Sequence, residues 1–327
     1  MPGGRNAHDQ AYSGARLTPH RLGSAPLTPS PNAAKGVPVP AAHGPAIPDT
    51  RGEHAFFAYD DDTDRAETVV RCVRTGLESG RRVLCTIDGS APDLLHDVLG
   101  RSGMDMSAAL ESGQLRVVPS DALFLHCLPF DPDQVIPLVR TACAEALADG
   151  YTGLTIIGEK SWCAREIPGA ERLLEYELRL DREVYADLPV TGLCMFDRRV
   201  VPAGTTGLLS GAHHAHAPAS DFFEPLPFAV TPLRDRAGAR LTGSADLDSR
   251  SSLTEALAAL TGIPGATLQL DLSRATFLDT EAVAALVDAT HRLRRQGRRL
   301  LLHEPPYSLR KVAQLFPDEC AALEVPS

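Results

Sequence analysis

The sequence is poor in aromatic residues, which make up 5% of its 327 positions and include a single tryptophan, Trp162. It has no apolar run approaching the ~18–20 residues of a membrane-spanning helix, and no apolar signal core at its N-terminus. No membrane partner is therefore expected. Positive charge is in deficit: 32 Lys and Arg against 42 Asp and Glu leave a net charge of −10. Non-specific binding to nucleic acid or to an anionic bilayer needs a basic surface, so no nucleic-acid partner is expected either. The seven cysteines are scattered, odd in number and without a CxxC pair. Their spacing argues against a secreted disulfide frame and against a structural zinc ribbon. A cytoplasmic location is the simplest expectation. There is no GxxxxGK[ST] loop, nucleophile elbow, HExxH or Ser-His-Asp order. No catalytic residue is assigned and no enzyme activity is expected.

What is present falls into three stretches. Residues 1–50 hold nine of the 26 prolines and only six charged residues. Such a composition buries too little surface to offset chain entropy, so it reads as a disordered tail. Its two Leu-Thr-Pro triplets, at Thr18 and Thr28, match chance in a Pro-rich tail better than kinase sites. Residues 51–218 alternate short strands with helices: strands at 55–59, 82–87, 115–118 and 153–158, and helices at 68–77, 92–99 and 135–148. That alternation predicts a mostly parallel sheet covered on both faces. Residues 219–327 form a smaller α/β unit. In it Leu268, Leu270 and Leu272 alternate with polar residues as in a half-buried strand. Asp279 stands at a helix N-cap position. Val283, Leu286, Val287 and Leu293 then recur at helical spacing, and Gly297 ends the run.

The C-terminal unit resembles the STAS domain of bacterial anti-sigma-factor antagonists. The resemblance rests on Leu241-Thr-Gly-Ser-Ala-Asp246, on Leu270-Asp-Leu-Ser-Arg-Ala-Thr-Phe-Leu-Asp279, on Gly297-Arg-Arg-Leu-Leu-Leu-His303 and on a closing helix near Leu309–Phe316. In that family the aspartate is followed by two hydroxyl residues and a glycine, and the second hydroxyl is phosphorylated by a partner kinase. Here the run is Asp279-Thr280-Glu281-Ala282. The resemblance places Asp246, Asp279, Thr280 and Glu281 at the partner-binding switch. It implies an anti-sigma factor or related kinase-fold partner, docked on a face from Asp279 along the helix to Arg295. Glu281 stands at the phosphorylated position, where its single fixed charge would partly mimic a phosphoserine.

The middle unit is similar to the MEDS sensory domain. The carriers are His54 before the first strand, Tyr59 at its end, Gly76-Leu77-x-x-Gly80, Gly158-Glu159-x-Ser161-Trp162, Tyr176-Glu177, Leu193-Cys194-x-x-Asp197, and His213 after a Leu-Leu pair. Arg81 departs from the glutamate common there. The resemblance implies a RecA-type fold that has lost its phosphate loop. The residues agree independently: after the first strand, Asp60–Glu67 contains neither glycine nor lysine, and it has four aspartates that repel a triphosphate.

His54, Tyr59, Glu159, Trp162, Glu177, Cys194, Asp197 and His213 are the candidate ligand-binding residues. Three arrangements suit them: a structural hydrogen-bond network, a small-molecule pocket walled by Trp162 and Tyr59, or a metal site. The first two are favoured, and no resident metal or cofactor is expected. His213, His214 and His216 form an HHxH run, expected in a solvated linker at the end of the domain. The whole reads as a regulator with a sensory domain and an interaction domain. A scaffold with two degenerate domains is the alternative, and a homodimer is left open.

Overall fold

The computed structural model describes residues 52–87, 106–217 and 227–326. The proline-rich segment 1–50, the helix expected at 92–99 and the boundary expected near 218 lie outside them. The described residues all belong to one compact unit.

Two sheets organise the chain. The first contains β1 (His54–Tyr59), β2 (Arg82–Ile87), β3 (Leu115–Pro119), β4 (Leu154–Glu159), β5 (Val190–Asp197) and β6 (Ala215–His216). Their spatial order is β3-β2-β4-β5-β1-β6, and every pairing is parallel. An all-parallel sheet must be covered on both faces, which explains the near-continuous apolar strands HAFFAY and VTGLCMFD. Alternation along β1 sends Ala55 and Phe57 to a core with Val69 and Val73 of α1 (Asp62–Glu78). It sends His54 and Phe56 to the other face, with Cys194 and Phe196 of β5.

Helix α1 starts six residues before the expected 68, because Asp61 caps it. Its carboxylate accepts from the N–H groups of Thr63 at 2.7 Å and Asp64 at 3.1 Å. Those are the amides that a phosphate at this helix start would use. Short helices α2 (Ser107–Glu111) and α3 (Ser120–Phe124) flank β3, and α4 (Pro132–Ala148) opens on an Asp131 cap.

Helix α5 (Leu173–Leu180) covers the second face, and all eight of its residues are buried. Its buried charges are paired, as burial demands. Arg179 bonds Glu175 at 2.9 Å and Glu183 at 3.0 Å, and Arg172 forks onto Glu175. A π-helical turn, Asp181–Tyr185, extends it. Such turns aim side chains that an α-helix would misplace. Gly192 of β5 lies under this turn; a Cβ there would overlap the Tyr185 hydroxyl. Helix α6 (Ala203–Gly211) completes the layer.

The second sheet contains β7 (Phe228–Pro232), β8 (Gly238–Ala245), β9 (Thr267–Leu278) and β10 (Arg299–His303), in the order β10-β9-β8-β7. Only β7 and β8 are antiparallel. Its helices are α7 (Arg250–Gly262), α8 (Thr280–Arg295) and α9 (Tyr307–Leu315). Strand β9 runs six residues past the expected alternation, paired to β8 through register shifts at Arg240/Thr242 and Gly243/Ser244. The fold is therefore mixed α/β, with a parallel six-stranded sheet and a small second sheet. Helices α5 and α7 pack together between them. Among the described residues no helix is long and apolar enough to cross a membrane.

Candidate functional site

Four of the candidate side chains converge in the layer between the first sheet and α5. His54 comes from β1, Glu177 from α5, Cys194 from β5 and His213 from the chain just after α6. Their donor atoms all lie within 4.8 Å of one another. His54 Nε2 is 3.2 Å from Cys194 Sγ and 3.2 Å from Glu177 Oε2. His213 Nε2 is 3.5 Å from the same Oε2, and Cys194 Sγ is 3.7 Å from it. All four residues are buried.

The other nitrogen of each imidazole is held from behind. His54 Nδ1 meets Asp181 Oδ1 at 2.9 Å, and His213 Nδ1 meets the Leu209 carbonyl at 2.7 Å. A carbonyl only accepts, so His213 Nδ1 carries the proton and Nε2 offers its lone pair to the cluster. That Nε2 has no hydrogen-bond partner among the described residues. Tyr185 stacks on His54 at 4.6 Å, and the two histidine rings lie 4.1 Å apart.

Lys160 completes the cluster. Its ammonium is 2.5 Å from Glu177 Oε1 and 2.9 Å from Cys194 Sγ. Glu177 is thus divided: Oε1 serves Lys160, and Oε2 faces the histidines and the sulfur. Burial works against every charge here, and the neighbours override it selectively. Despite burial, Lys160 holds the Glu177 carboxyl well below the usual carboxylate range, helped by His54 and His213. Burial likewise opposes the Lys160 charge, but Cys194 and Glu177 raise its pKa. His54 is pushed up against its own burial by Cys194, Asp181 and Glu177. His213 is pushed down by burial and then by His54. Asp181, also resisting burial, is held low by His214 and His54.

Tyr59, Glu159 and Asp197 form a separate group at the C-terminal ends of β1, β4 and β5. The Tyr59 hydroxyl donates to Glu159 Oε2 at 2.9 Å, and Ser161 donates to Oε1 at 2.5 Å. The Asp197 N–H donates to Ser161 Oγ at 2.8 Å. Arg65 approaches Glu159 Oε2 at 3.3 Å, and Arg199 pairs with Asp197 at 2.7 Å. Burial and the Glu159 charge raise the Tyr59 pKa. Trp162 joins neither group. It is 0% exposed and packs against Phe130 at 5.0 Å and Phe124 at 5.9 Å. It anchors the core.

Two participants escaped the sequence reading. Lys160 is the unassigned position inside Gly158-Glu159-x-Ser161-Trp162. Asp181 lies four residues after Glu177, a spacing that puts both carboxylates on one helix face; that was the available signal. The HHxH run is not a solvated linker. His213 is 3% exposed, His216 sits in β6 bonded to Ser210, and His214 Nε2 is 3.0 Å from Asp181 Oδ2. Parallel pairing of β6 to β1 carries His213 inside and half-buries His216, while His214 stays exposed.

In the second unit Asp279 caps α8, accepting from the Ala282 N–H at 2.7 Å. Asp246 Oδ1 accepts from the Asp248 N–H at 3.1 Å in the turn that precedes α7. Arg250 reaches Asp279 Oδ2 at 3.7 Å. Thr280 and Glu281 are exposed at the α8 start, beside Phe277 at 46% and Leu247 at 72% exposure. Four of the residues singled out for the switch thus share one end of the second sheet.

Residues 53–214 match the family model described as the MEthanogen/methylotroph, DcmR Sensory domain, MEDS. Residues 233–317 match the model described as Mlab, STAS domain. The chain carries a MEDS domain followed by a STAS domain. Among solved structures, the anti-sigma factor antagonist SpoIIAA in its unphosphorylated form is 18% identical, with a TM-score of 0.25, covering 31% of this chain and 88% of its own. The DUF1998 helicase MrfA bound to DNA is 11% identical, with a TM-score of 0.31, covering 84% of this chain and 37% of its own. No curated protein matches the chain. The His54 cluster lies within the MEDS domain, and the Asp279–Glu281 turn lies within the STAS domain.

Proposed function

We propose that this is a cytoplasmic, non-enzymatic regulator in which the MEDS domain receives a signal and the STAS domain delivers it to a protein partner. The observation that carries this is the position of α5. Glu177 of that helix enters the His54 cluster. Glu175, on the same helix, presses on the end of α7 in the STAS domain, where a Cβ at Gly262 would overlap its carboxylate. Asp181, which holds His54, also has Arg234 of the STAS domain at 3.7 Å. A change in how the cluster holds Glu177 or Asp181 therefore reaches the second domain through one packed helix and its π-turn.

The partner proposed is an anti-sigma factor or related kinase-fold protein, docking at Asp279, Glu281 and the exposed face of α8. Exposed Leu247 and Phe277 near this turn support a protein-binding face, because each presents a large apolar side chain to solvent. The test is affinity capture with the full chain, identification of the captured protein, and calorimetric titration of that protein. A captured kinase-fold protein whose affinity changes with Glu281 substitution supports the reading. Failure of such a protein to bind wild type or variant would reject it.

A further inference from the structure

We propose that His54, Glu177, Cys194 and His213 form a four-ligand site for a divalent transition-metal ion of the zinc class. The donor set is two imidazoles, one thiolate and one carboxylate, the mixture such ions take. The spacing fits. Bond lengths of about 2.0–2.3 Å in a tetrahedron put neighbouring donor atoms about 3.3–3.6 Å apart. Four of the six separations are 3.2 Å for His54 to Cys194, 3.2 Å for His54 to Glu177, 3.5 Å for His213 to Glu177 and 3.7 Å for Cys194 to Glu177, and the two from His213 to His54 and Cys194 lie within 4.8 Å, so His213 would close slightly onto the ion.

A second, independent observation points the same way. Each ligating imidazole has its Nδ1 fixed by an acceptor behind it, Asp181 for His54 and the Leu209 carbonyl for His213. This is the outer-shell arrangement that orients imidazoles on metals. It leaves His213 Nε2 fully buried, aimed at the cluster and without a hydrogen-bond partner among the described residues. A purely structural network would have used that nitrogen, since an orphaned buried acceptor is costly.

Lys160 is compatible with the ion and is not a ligand. It occupies Glu177 Oε1, the oxygen turned away from the histidines, so Glu177 binds through Oε2 alone. Its ammonium also donates to Cys194 Sγ at 2.9 Å and so stands beside the ligating sulfur. A ligating thiolate, the Glu177 carboxylate and the Asp181 carboxylate behind His54 together carry three negative charges, which balance two on the ion and one on the Lys160 ammonium.

Four protein ligands close the coordination sphere, so the ion would organise structure and would not activate water. The four ligands come from β1, α5, β5 and the chain after α6. Metal loading would tie the position of α5 to the sheet. The regulatory meaning of that tie rests on the function proposed above; the metal site itself does not.

The experiment uses the full chain, stripped with a chelator and dialysed against Co²⁺. The expected result is one Co²⁺ per chain, with a thiolate-to-cobalt charge-transfer band and the intense d–d bands of a tetrahedral ion. Cys194→Ser, which preserves side-chain shape, should keep the far-UV circular dichroism and lose the charge-transfer band. Glu177→Gln and His213→Ala should each weaken retention at least about tenfold, the scale at which even outer-shell losses act. A folded wild-type protein that retains no stoichiometric Co²⁺ or Zn²⁺ would overturn the assignment. So would a cobalt spectrum with no thiolate band, unchanged in Cys194→Ser. Partner docking is scored separately by titration of metal-free and metal-loaded protein, so the failure of one reading is distinguishable from the failure of the other.

Discussion

Glu175 and Glu177 are two residues apart on one fully buried helix and serve different domains. Glu177 turns into the His54–Cys194–His213 cluster, and Glu175 turns to the end of α7 at Gly262. A helix advances about 100° per residue, so positions i and i+2 point to opposite sides. Arg172 and Arg179 grip the Glu175 carboxylate, leaving it little freedom to move.

That grip makes Gly262 intolerant of a side chain. Gly262→Ala should destabilise the chain by about 1–3 kcal/mol, the usual cost of overpacking. Urea denaturation followed by circular dichroism measures it. A midpoint equal to wild type would show that the Glu175 carboxylate yields freely.

The α8 cap has a separate, smaller role. Asp279→Ala removes the acceptor for the Ala282 N–H and should cost about 1 kcal/mol. The same denaturation measurement applies. No change in midpoint would mean that solvent satisfies this helix end as well as Asp279 does.

Glu281 is exposed and makes no packing contribution comparable to the cap, so Glu281→Ser should leave stability nearly unchanged. Its effect should appear in docking. Removing the fixed charge should raise affinity for a kinase-fold partner by about 1–2 kcal/mol, the scale of a relieved like-charge contact. The serine variant should also gain phosphate on incubation with a cognate kinase, whereas the wild type should not at this position. Calorimetry and intact-mass analysis decide. Equal affinities would make Glu281 a simple helix-start residue.

Mg-ATP should bind the MEDS domain weakly and should not be hydrolysed. The N–H groups at the start of α1 already bond Asp61, and the surrounding aspartates oppose a triphosphate. A micromolar dissociation constant in a calorimetric titration, with phosphate release, would overturn this.

Trp162 gives a fluorescence test of the packing. Enclosed by Phe124 and Phe130, its emission should be blue-shifted and poorly quenched by acrylamide. Quenching as strong as that of a free indole would place it at a surface.

Much of the architecture was legible in the residues, because periodicity and caps are local. The apolar strands at 55–59, 82–87 and 153–158, the Asp279 cap and the helix ended by Gly297 are each written within a few neighbouring positions. The residue types of the cluster were legible too, as separate His, Glu and Cys positions in short motifs. Their partition was not. Tyr59 and His54 lie five residues apart on one strand, an odd separation that sends them to opposite faces and into different groups. Trp162, next to Ser161 in sequence, turns into the aromatic core, because its large apolar ring gains more from burial than from lining a polar cluster. The HHxH run reads as a polar linker until β6 pairs beside β1 and carries His213 under α6. Lys160 and Asp181 gained their roles only when β4 and the π-turn brought them to Glu177 and His54. The sequence alone determined which chemical groups this protein has and the local elements that carry them. The tertiary structure decided which groups meet, since distances of 3–4 Å between residues up to 140 positions apart depend on strand order and helix rotation, which no local pattern encodes.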